Sequence, residues 1–282
     1  MYLLRKMILA GLLFSAGVNM FAQESAYAYD ANGNLTKDLN KNIVDIQYNS
    51  LNLPSRIVFK NGDNISHVYS ADGSKLRTVW VADGDTLTTD YCGNVIYENG
   101  VPVRLMTDVG YIALSDTSYH YFIKDHQGNV RVVADEHGNA EEVNDYYAFG
   151  GLMSTSSRQS VQPYKYNGKE LETACGVNWY DYGARRYDPV LGRWNGVDPL
   201  CEDYYSENPY GYCGNNPVNY VDPNGLMKVL YNPDGTYKET THNNWFHNTF
   251  MGRQEYIDYG DRKVHLSESE FWQWQRSGSY EN

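Results

Sequence analysis

Three Asp-Pro pairs are spread along the second half of the 282-residue chain, at Asp188-Pro189, Asp198-Pro199 and Asp222-Pro223. A carboxylate is a potential general acid or base. The same dipeptide is also an ordinary turn former, because Asp bonds to nearby backbone and Pro presets φ. Three of the seven histidines, His242, His247 and His265, fall in the last stretch of chain and raise the question of a metal or nuclease centre. Their spacing fits no ligand motif. The four cysteines, Cys92, Cys175, Cys201 and Cys213, contain no CxxC pair, so a structural zinc site is not expected, and buried thiols and disulfides both remain open. No nucleophile elbow, phosphate loop or metal-binding helix occurs. A conventional hydrolase or metalloenzyme is therefore disfavoured, and neither a cofactor nor a metal is expected.

The elements that must position these residues are strands. The chain has 27 Tyr against 8 Phe, with 25 Gly, a composition that favours strands and turns over helices. The balance of 35 acids against 23 bases, a net charge of −12, argues against binding nucleic acid or an anionic membrane, since there is no excess of cations to neutralise phosphates. Residues 1–22 read as an export signal: Arg5 and Lys6 precede a short apolar stretch, and Ala22 precedes Gln23 at a plausible cleavage point. Beyond it no apolar run approaches the ~20 residues that span a bilayer. An exported protein placed in the periplasm, at the outer surface or outside is expected.

A tyrosine-headed unit recurs at intervals of roughly 20 residues, the signature of a repeat architecture. Tyr29-Asp30-Ala31-Asn32-Gly33-Asn34-Leu35 is followed by units headed by Tyr48, Tyr69 and Tyr91, with later echoes at Asp125–Val130 and Asp135–Ala140. Asn-Gly and Asp-Gly supply the φ > 0 positions of tight hairpin turns. Alternation predicts that Ile43, Asp45 and Gln47 oppose Val44, Ile46 and Tyr48, and Arg56–Lys60 is a second β run. A lone hairpin cannot bury its apolar face, so successive hairpins must stack or join edge to edge. Each leading Tyr can pack its ring under the turn while its hydroxyl stays wet or bonds to backbone. Sugar stacking is the alternative role for these rings.

The pattern resembles the YD repeats of the Rhs family, relatives of bacterial wall-associated proteins and of the C components of insecticidal toxin complexes. The more specific motifs come afterwards: Tyr146-Tyr147-Ala148-Phe149-Gly150, Tyr166–Leu171, Gly176–Pro189, Gly192-Arg193-Trp194, Val197-Asp198-Pro199, Asn208–Tyr212, Asn215–Tyr220 and Val221–Leu226. Together they resemble the Rhs repeat-associated core domain of Bacteroidetes-type proteins. The resemblance implies a mostly β fold: sequential antiparallel hairpins in a curved open sheet, part of an Rhs-like shell, with a compact core plug and a small mixed C-terminal tail. The expected divisions are 1–22 signal peptide, 23–145 YD-repeat hairpins, 146–226 core and 227–282 variable tail. Full-length relatives carry far more repeat, enough to enclose a C-terminal cargo. These few units cannot, so a truncated member or a piece that completes a partner's sheet is also open.

In that family the core cuts the chain after a DPxGL-type sequence, here Asp222–Leu226, which implies a scissile bond between Leu226 and Met227. The implied machinery resembles an aspartic protease and carries over by motif position to Asp198, Asp222 and Arg185. Two carboxylates held close cannot both ionise, and an Arg can orient one of them. Any enzymatic activity would be of this autoproteolytic kind. In the tail, Asn232–Gly235 flanked by Val229–Tyr231 and Thr236–Lys238 predicts a hairpin, and Glu268–Gln275 a short helix with Ser267 as N-cap. Two readings result. One is a toxin-delivery or display module that cuts itself after Leu226, with a larger YD-repeat chain as partner. The other is a non-catalytic cell-surface protein that binds a glycan or protein.

Overall fold

The computed structural model describes residues 25–157, 161–203, 207–226, 228–231, 237–240, 256–258 and 263–265. The signal segment, the tail helix, His242 and His247 lie outside the described residues.

Thirteen antiparallel strands form one sheet in strict sequence order, and its two edge strands do not pair with each other, so the sheet is open. It runs from β1 (Tyr27–Tyr29), β2 (Leu35–Asp38), β3 (Ile43–Tyr48), β4 (Pro54–Phe59), β5 (Asn64–Tyr69), β6 (Lys75–Ala82) and β7 (Asp85–Cys92) through β8 (Val95–Glu98), β9 (Val101–Thr107), β10 (Gly110–Ala113), β11 (Tyr119–Lys124) and β12 (Val130–Asp135) to β13 (Ala140–Val143). Four short strands, β14 (Glu170–Glu172), β15 (Trp179–Asp181), β16 (Arg186–Asp188) and β17 (Arg193–Trp194), make a second sheet packed on the first. Next come β18 (Tyr220–Val221), β19 (Val229–Tyr231) and β20 (Tyr237–Thr240), then the pair β21 (Tyr256–Asp258) and β22 (Lys263–His265). β19 and β20 are the antiparallel hairpin expected around Asn232–Gly235. Among the described residues the only helical segments are short 3-10 turns, and no helix is long and apolar enough to cross a membrane.

Three of the repeat turns share one chemistry. Asp30 Oδ1 accepts from the Asn32 and Asn34 backbone N–H groups, and Oδ2 accepts from the Asn34 side-chain amide. Asp125 does the same with Gln127 and Asn129, and Asp135 with His137 and Asn139. A D-x-x-G-N loop thus satisfies its own backbone while Gly supplies the left-handed residue. The leading tyrosines join consecutive units: the Tyr48 hydroxyl donates to the Leu35 carbonyl and the Tyr69 hydroxyl to the Pro54 carbonyl, each one unit back.

Simple alternation fails in β3. Both Ile43 and Ile46 are buried, although alternation puts them on opposite faces. The ladder shifts register between Ile43 and Asp45, a bulge at Val44 that returns Ile46 to the inner face and leaves Val44 exposed. Ile43 and Ile46 then pack with Leu35, Ile57, Phe59, Ile65, Val177 and Trp179, which makes one core out of the first repeats and the second sheet.

The Tyr147–Gly151 loop shows why tyrosine rather than phenylalanine dominates. Three successive carbonyls of this loop, those of Ala148, Phe149 and Gly150, each accept a hydroxyl from a buried ring: Tyr166 at 3.1 Å, Tyr187 at 2.8 Å and Tyr180 at 3.0 Å. The Tyr182 and Tyr212 hydroxyls both donate to Asn167 Oδ1 at 2.7 Å. Burial holds all five phenols above their ordinary pKa, so they are neutral donors.

At Gly150 (φ +84°) an added Cβ would lie 2.5 Å from the Tyr166 ring, whereas at Gly138 (φ +83°) it would meet nothing within 4 Å. Both substitutions to Ala incur the left-handed penalty of ~1–2 kcal/mol. Gly150→Ala adds overpacking and is expected to cost about 2–4 kcal/mol in urea denaturation, clearly more than Gly138→Ala. Equal losses for the two variants would contradict the packing of this loop on Tyr166.

Candidate functional site

The loop Asp222–Leu226 follows β18 and is folded by its own aspartate. Asp222 Oδ1 accepts from the N–H groups of Asn224 (3.1 Å), Gly225 (2.6 Å) and Leu226 (3.2 Å). The other two Asp-Pro pairs are built alike: Asp188 Oδ1 accepts from Val190 and Leu191, and Asp198 Oδ1 from Leu200. In all three, Oδ2 is left to face a cation. For Asp188 it is Lys41, at 3.2 Å. For Asp198 and Asp222 it is the same nitrogen, Arg185 Nη2, at 2.8 Å and 3.7 Å.

The three residues singled out in the sequence are therefore brought together, while Asp188 is held apart with Lys41 and the Trp179 indole. Arg185 leaves the turn between β15 and β16 and is 4 % exposed at its side chain. Its Nε donates to the Gly225 carbonyl at 2.5 Å, its Nη1 donates to the Pro209 carbonyl, and its guanidinium lies 4.2 Å from the Trp194 ring centre. A cation fixed by two carbonyls, two carboxylates and a ring has little freedom left, which is how an Arg fork sets the direction of a carboxylate.

Leu226 is buried and lines a cavity of about 30 Å³ together with Arg185, Asp198, Asp222, Cys201 and Cys213. That is room for about one water molecule. Met227 lies outside the described residues. All four cysteines are free; Cys213 is buried, and burial pushes its thiol up. Among the described residues no group of three or more His, Cys, Asp or Glu side chains could hold a metal ion.

Burial also pushes the carboxyls up. Asp222 is raised to about 6, chiefly by desolvation and against the pull of Arg185. Asp198 is raised for the same reason, with Arg185 again opposing. The turn aspartate Asp135, which is only half-buried, accepts a similar set of bonds, and those bonds hold it below its ordinary value. Turn chemistry is thus common to both, and burial beside a second carboxylate separates Asp222 from a repeat aspartate. The pair can share one proton and titrate as a unit.

Motif reading passed over Lys169, whose ammonium donates to the Pro223 carbonyl at 2.6 Å and clamps the loop from below. Burial lowers its pKa, with Asp222 pulling the other way. It sits inside the Tyr166–Leu171 motif, and Trp194 inside Gly192-Arg193-Trp194, so both were visible as motif members without an assigned role.

No family model matches the chain. It is similar to salivary gland surface protein 1 of Aedes aegypti, 29% identical over 233 residues, 73% of this chain and 7% of that protein. It is also similar to toxin subunit YenC1 of Yersinia entomophaga, 36% identical over 116 residues, 40% of this chain and 12% of that protein. Among solved structures it matches the Photorhabdus luminescens Tc holotoxin pore with a TM-score of 0.60 at 21% identity, over 74% of this chain and 11% of that one. The fold is that of a toxin-complex shell segment. The chain spans no more than 12% of the length of any of these three. Two of the three are toxin components, which supports the Rhs-like reading of the motifs. The narrower Bacteroidetes-type resemblance draws no support from them.

The raised carboxyl gives a pH signature. The folded state holds the Asp222 proton more tightly than the unfolded chain, whose value is near 4. The stability contributed by this group is therefore full below about pH 4 and is lost as pH rises through about 6. Asp222→Asn removes that dependence. The wild type should lose on the order of 2–3 kcal/mol relative to the variant between pH 4 and pH 7 in denaturation titrations. Parallel pH profiles would show that Asp222 is ionised in the fold throughout.

Proposed function

We propose that this chain is an exported, toxin-related Rhs-like module that cuts itself between Leu226 and Met227. The observation that carries the reading is the convergence of Asp198 and Asp222 on one nitrogen of Arg185, with Leu226 against the same small cavity. In the proposed reaction Asp198, the less buried of the two, takes a proton from water as the water oxygen attacks the Leu226 carbonyl carbon. Asp222, protonated up to mildly acidic pH, gives its proton to the carbonyl oxygen; Asp198 then passes the proton taken from water to the departing Met227 nitrogen, and Asp222 recovers its own as the carbonyl reforms. The C–N bond breaks, leaving a carboxyl on Leu226 and an amine on Met227. Arg185 holds the two carboxyls in register, and enforced proximity favours a cut within one chain.

On this reading residues 23–145 are the repeat part, 146–226 the core and 227–282 the released tail. The motif wording alone favours the Bacteroidetes-type core. The β1 edge, Tyr27–Tyr29, is where a longer YD-repeat chain would add its strand, since the sheet grows strictly by neighbours. A second, non-catalytic reading draws on a cleft of about 910 Å³ beside Tyr147, a ring 60% exposed, flanked by Asn178, Arg193 and Asn215. An open aromatic face with amide groups around it suits a sugar ring.

Intact-mass measurement of the purified chain separates the two. The wild type is expected to yield a tail fragment beginning at Met227, whereas Asp222→Asn and Asp198→Asn stay whole and the Arg185→Lys rate falls by at least about tenfold, the fork being lost. A wild type that stays whole across pH 4–7, or an Asp222→Asn variant that is still cut, overturns the catalytic reading.

A further inference from the structure

A second buried constellation lies where the long sheet hands over to the core, away from Asp222. Glu142 on β13, Asn144 just after it, and Gln162 and Lys165 on the segment leading to Tyr166 are all buried, none more than 2% exposed. One oxygen, Glu142 Oε1, accepts from the Lys165 ammonium (2.5 Å), the Asn144 amide nitrogen (2.5 Å) and the Gln162 amide nitrogen (3.1 Å). The Asn144 nitrogen also donates to the Val130 carbonyl. The other ends are unsatisfied: neither Glu142 Oε2 nor Asn144 Oδ1 has a hydrogen-bond partner, though both are shut off from solvent. Two orphaned acceptors in one cluster call for a reason. Two nitrogens of different segments, Lys165 Nζ and Asn144 Nδ2, crowd one carboxylate oxygen while the Asn144 carbonyl oxygen stands bare, which places an amine beside an unprotected amide.

We propose that Lys165 and Asn144 join in an intramolecular isopeptide bond, with Glu142 as the proton carrier. The step balances without any co-reactant. Lys165, having passed a proton to Glu142, attacks Asn144 Cγ through its free electron pair. Glu142 passes that proton to Oδ1 as the tetrahedral adduct forms, then carries the proton lost by Nζ to Nδ2; as the Cγ–Nδ2 bond breaks and the carbonyl reforms, the Oδ1 proton returns to Glu142. An Nζ–Cγ amide forms and one ammonia leaves. The environment favours the neutral amine this requires, since burial holds Lys165 below its ordinary pKa. Asn144 is the electrophile rather than Gln162 because the Gln162 oxygen is already engaged, accepting from the Tyr164 N–H at 2.5 Å. A plain buried ion pair between Glu142 and Lys165 accounts for the short contact but leaves both oxygens orphaned.

Tryptic mapping of the full, unfractionated chain by tandem mass spectrometry decides the matter, independently of any cut at Leu226. The expected product is a branched peptide joining residues 132–158 to 159–169, uncleaved after Lys165 and lighter than the sum of those two peptides by one ammonia. Glu142→Gln is expected to leave the two segments separate, with circular dichroism reporting that the β fold is kept. Recovery of unlinked wild-type peptides carrying intact Asn144 and Lys165 overturns the proposal whether or not any variant folds. A loss of water that maps to Glu142, or full linkage in Glu142→Gln, overturns the roles assigned here.

Discussion

A tyrosine hydroxyl reaching a backbone carbonyl of a different segment is the interaction on which this structure rests. A strand-and-turn chain with short strands leaves many carbonyls at loop positions where no ladder satisfies them, and each buried one left bare costs about 1–3 kcal/mol. A phenol covers such a carbonyl and delivers a large apolar ring in the same stroke. The Tyr48 and Tyr69 bonds tie each repeat to the one before it, the Tyr146 hydroxyl reaches the Val130 carbonyl, and the Tyr210 hydroxyl returns to the Gly33 carbonyl at the far end of the sequence. Phenylalanine fills the same volume and removes each of these hydrogen bonds.

The charged groups occupy the gaps this scaffold leaves. Lys75 meets both Glu170 and Asp181 at 2.7 Å, binding the long sheet to the core, and Tyr91 adds a bond to Glu170. Arg185 works the same way one layer further in, except that its two carboxylates come from loops rather than strands. Buried ion pairs contribute little net stability against a well-packed apolar alternative, but they are costly to break. Their effect here is to fix which loop meets which, and so where Asp198 and Asp222 stand.

Much of this was legible in the residues. Asn-Gly and Asp-Gly turns at a regular interval announce hairpins, and hairpins in sequence announce an open, sequential sheet. Asp198, Asp222 and Arg185 could be named from motif position because short local motifs carry them. The rest depends on long-range meetings that no local pattern encodes. The bulge at Val44 reverses the expected facing of Ile46 and has no residue signature. Lys169 reads as a surface charge until the loop at Pro223 closes over it. Glu142, Asn144 and Lys165 are ordinary polar residues in sequence and become a buried cluster only when β13 meets the segment before Tyr166. Asp222 itself carries the clearest ambiguity: its Oδ1 is a turn former like any repeat aspartate, and only burial of its Oδ2 beside Arg185 sets it apart.

The strict neighbour order of the thirteen-stranded sheet has a kinetic consequence. Each strand pairs only with its neighbours in sequence, so every ladder closure spans a short stretch of chain, while the apolar face of the first repeats is covered only when Val177 and Trp179 arrive. The ladder of such a sheet can form from its N-terminal end while later residues are still emerging from the ribosome. The Asp222–Leu226 loop cannot, because its clamps, Arg185, Lys169 and Asp198, come from separate core segments that must already be seated. Order of synthesis thereby becomes order of assembly, and the carboxyl pair is completed last.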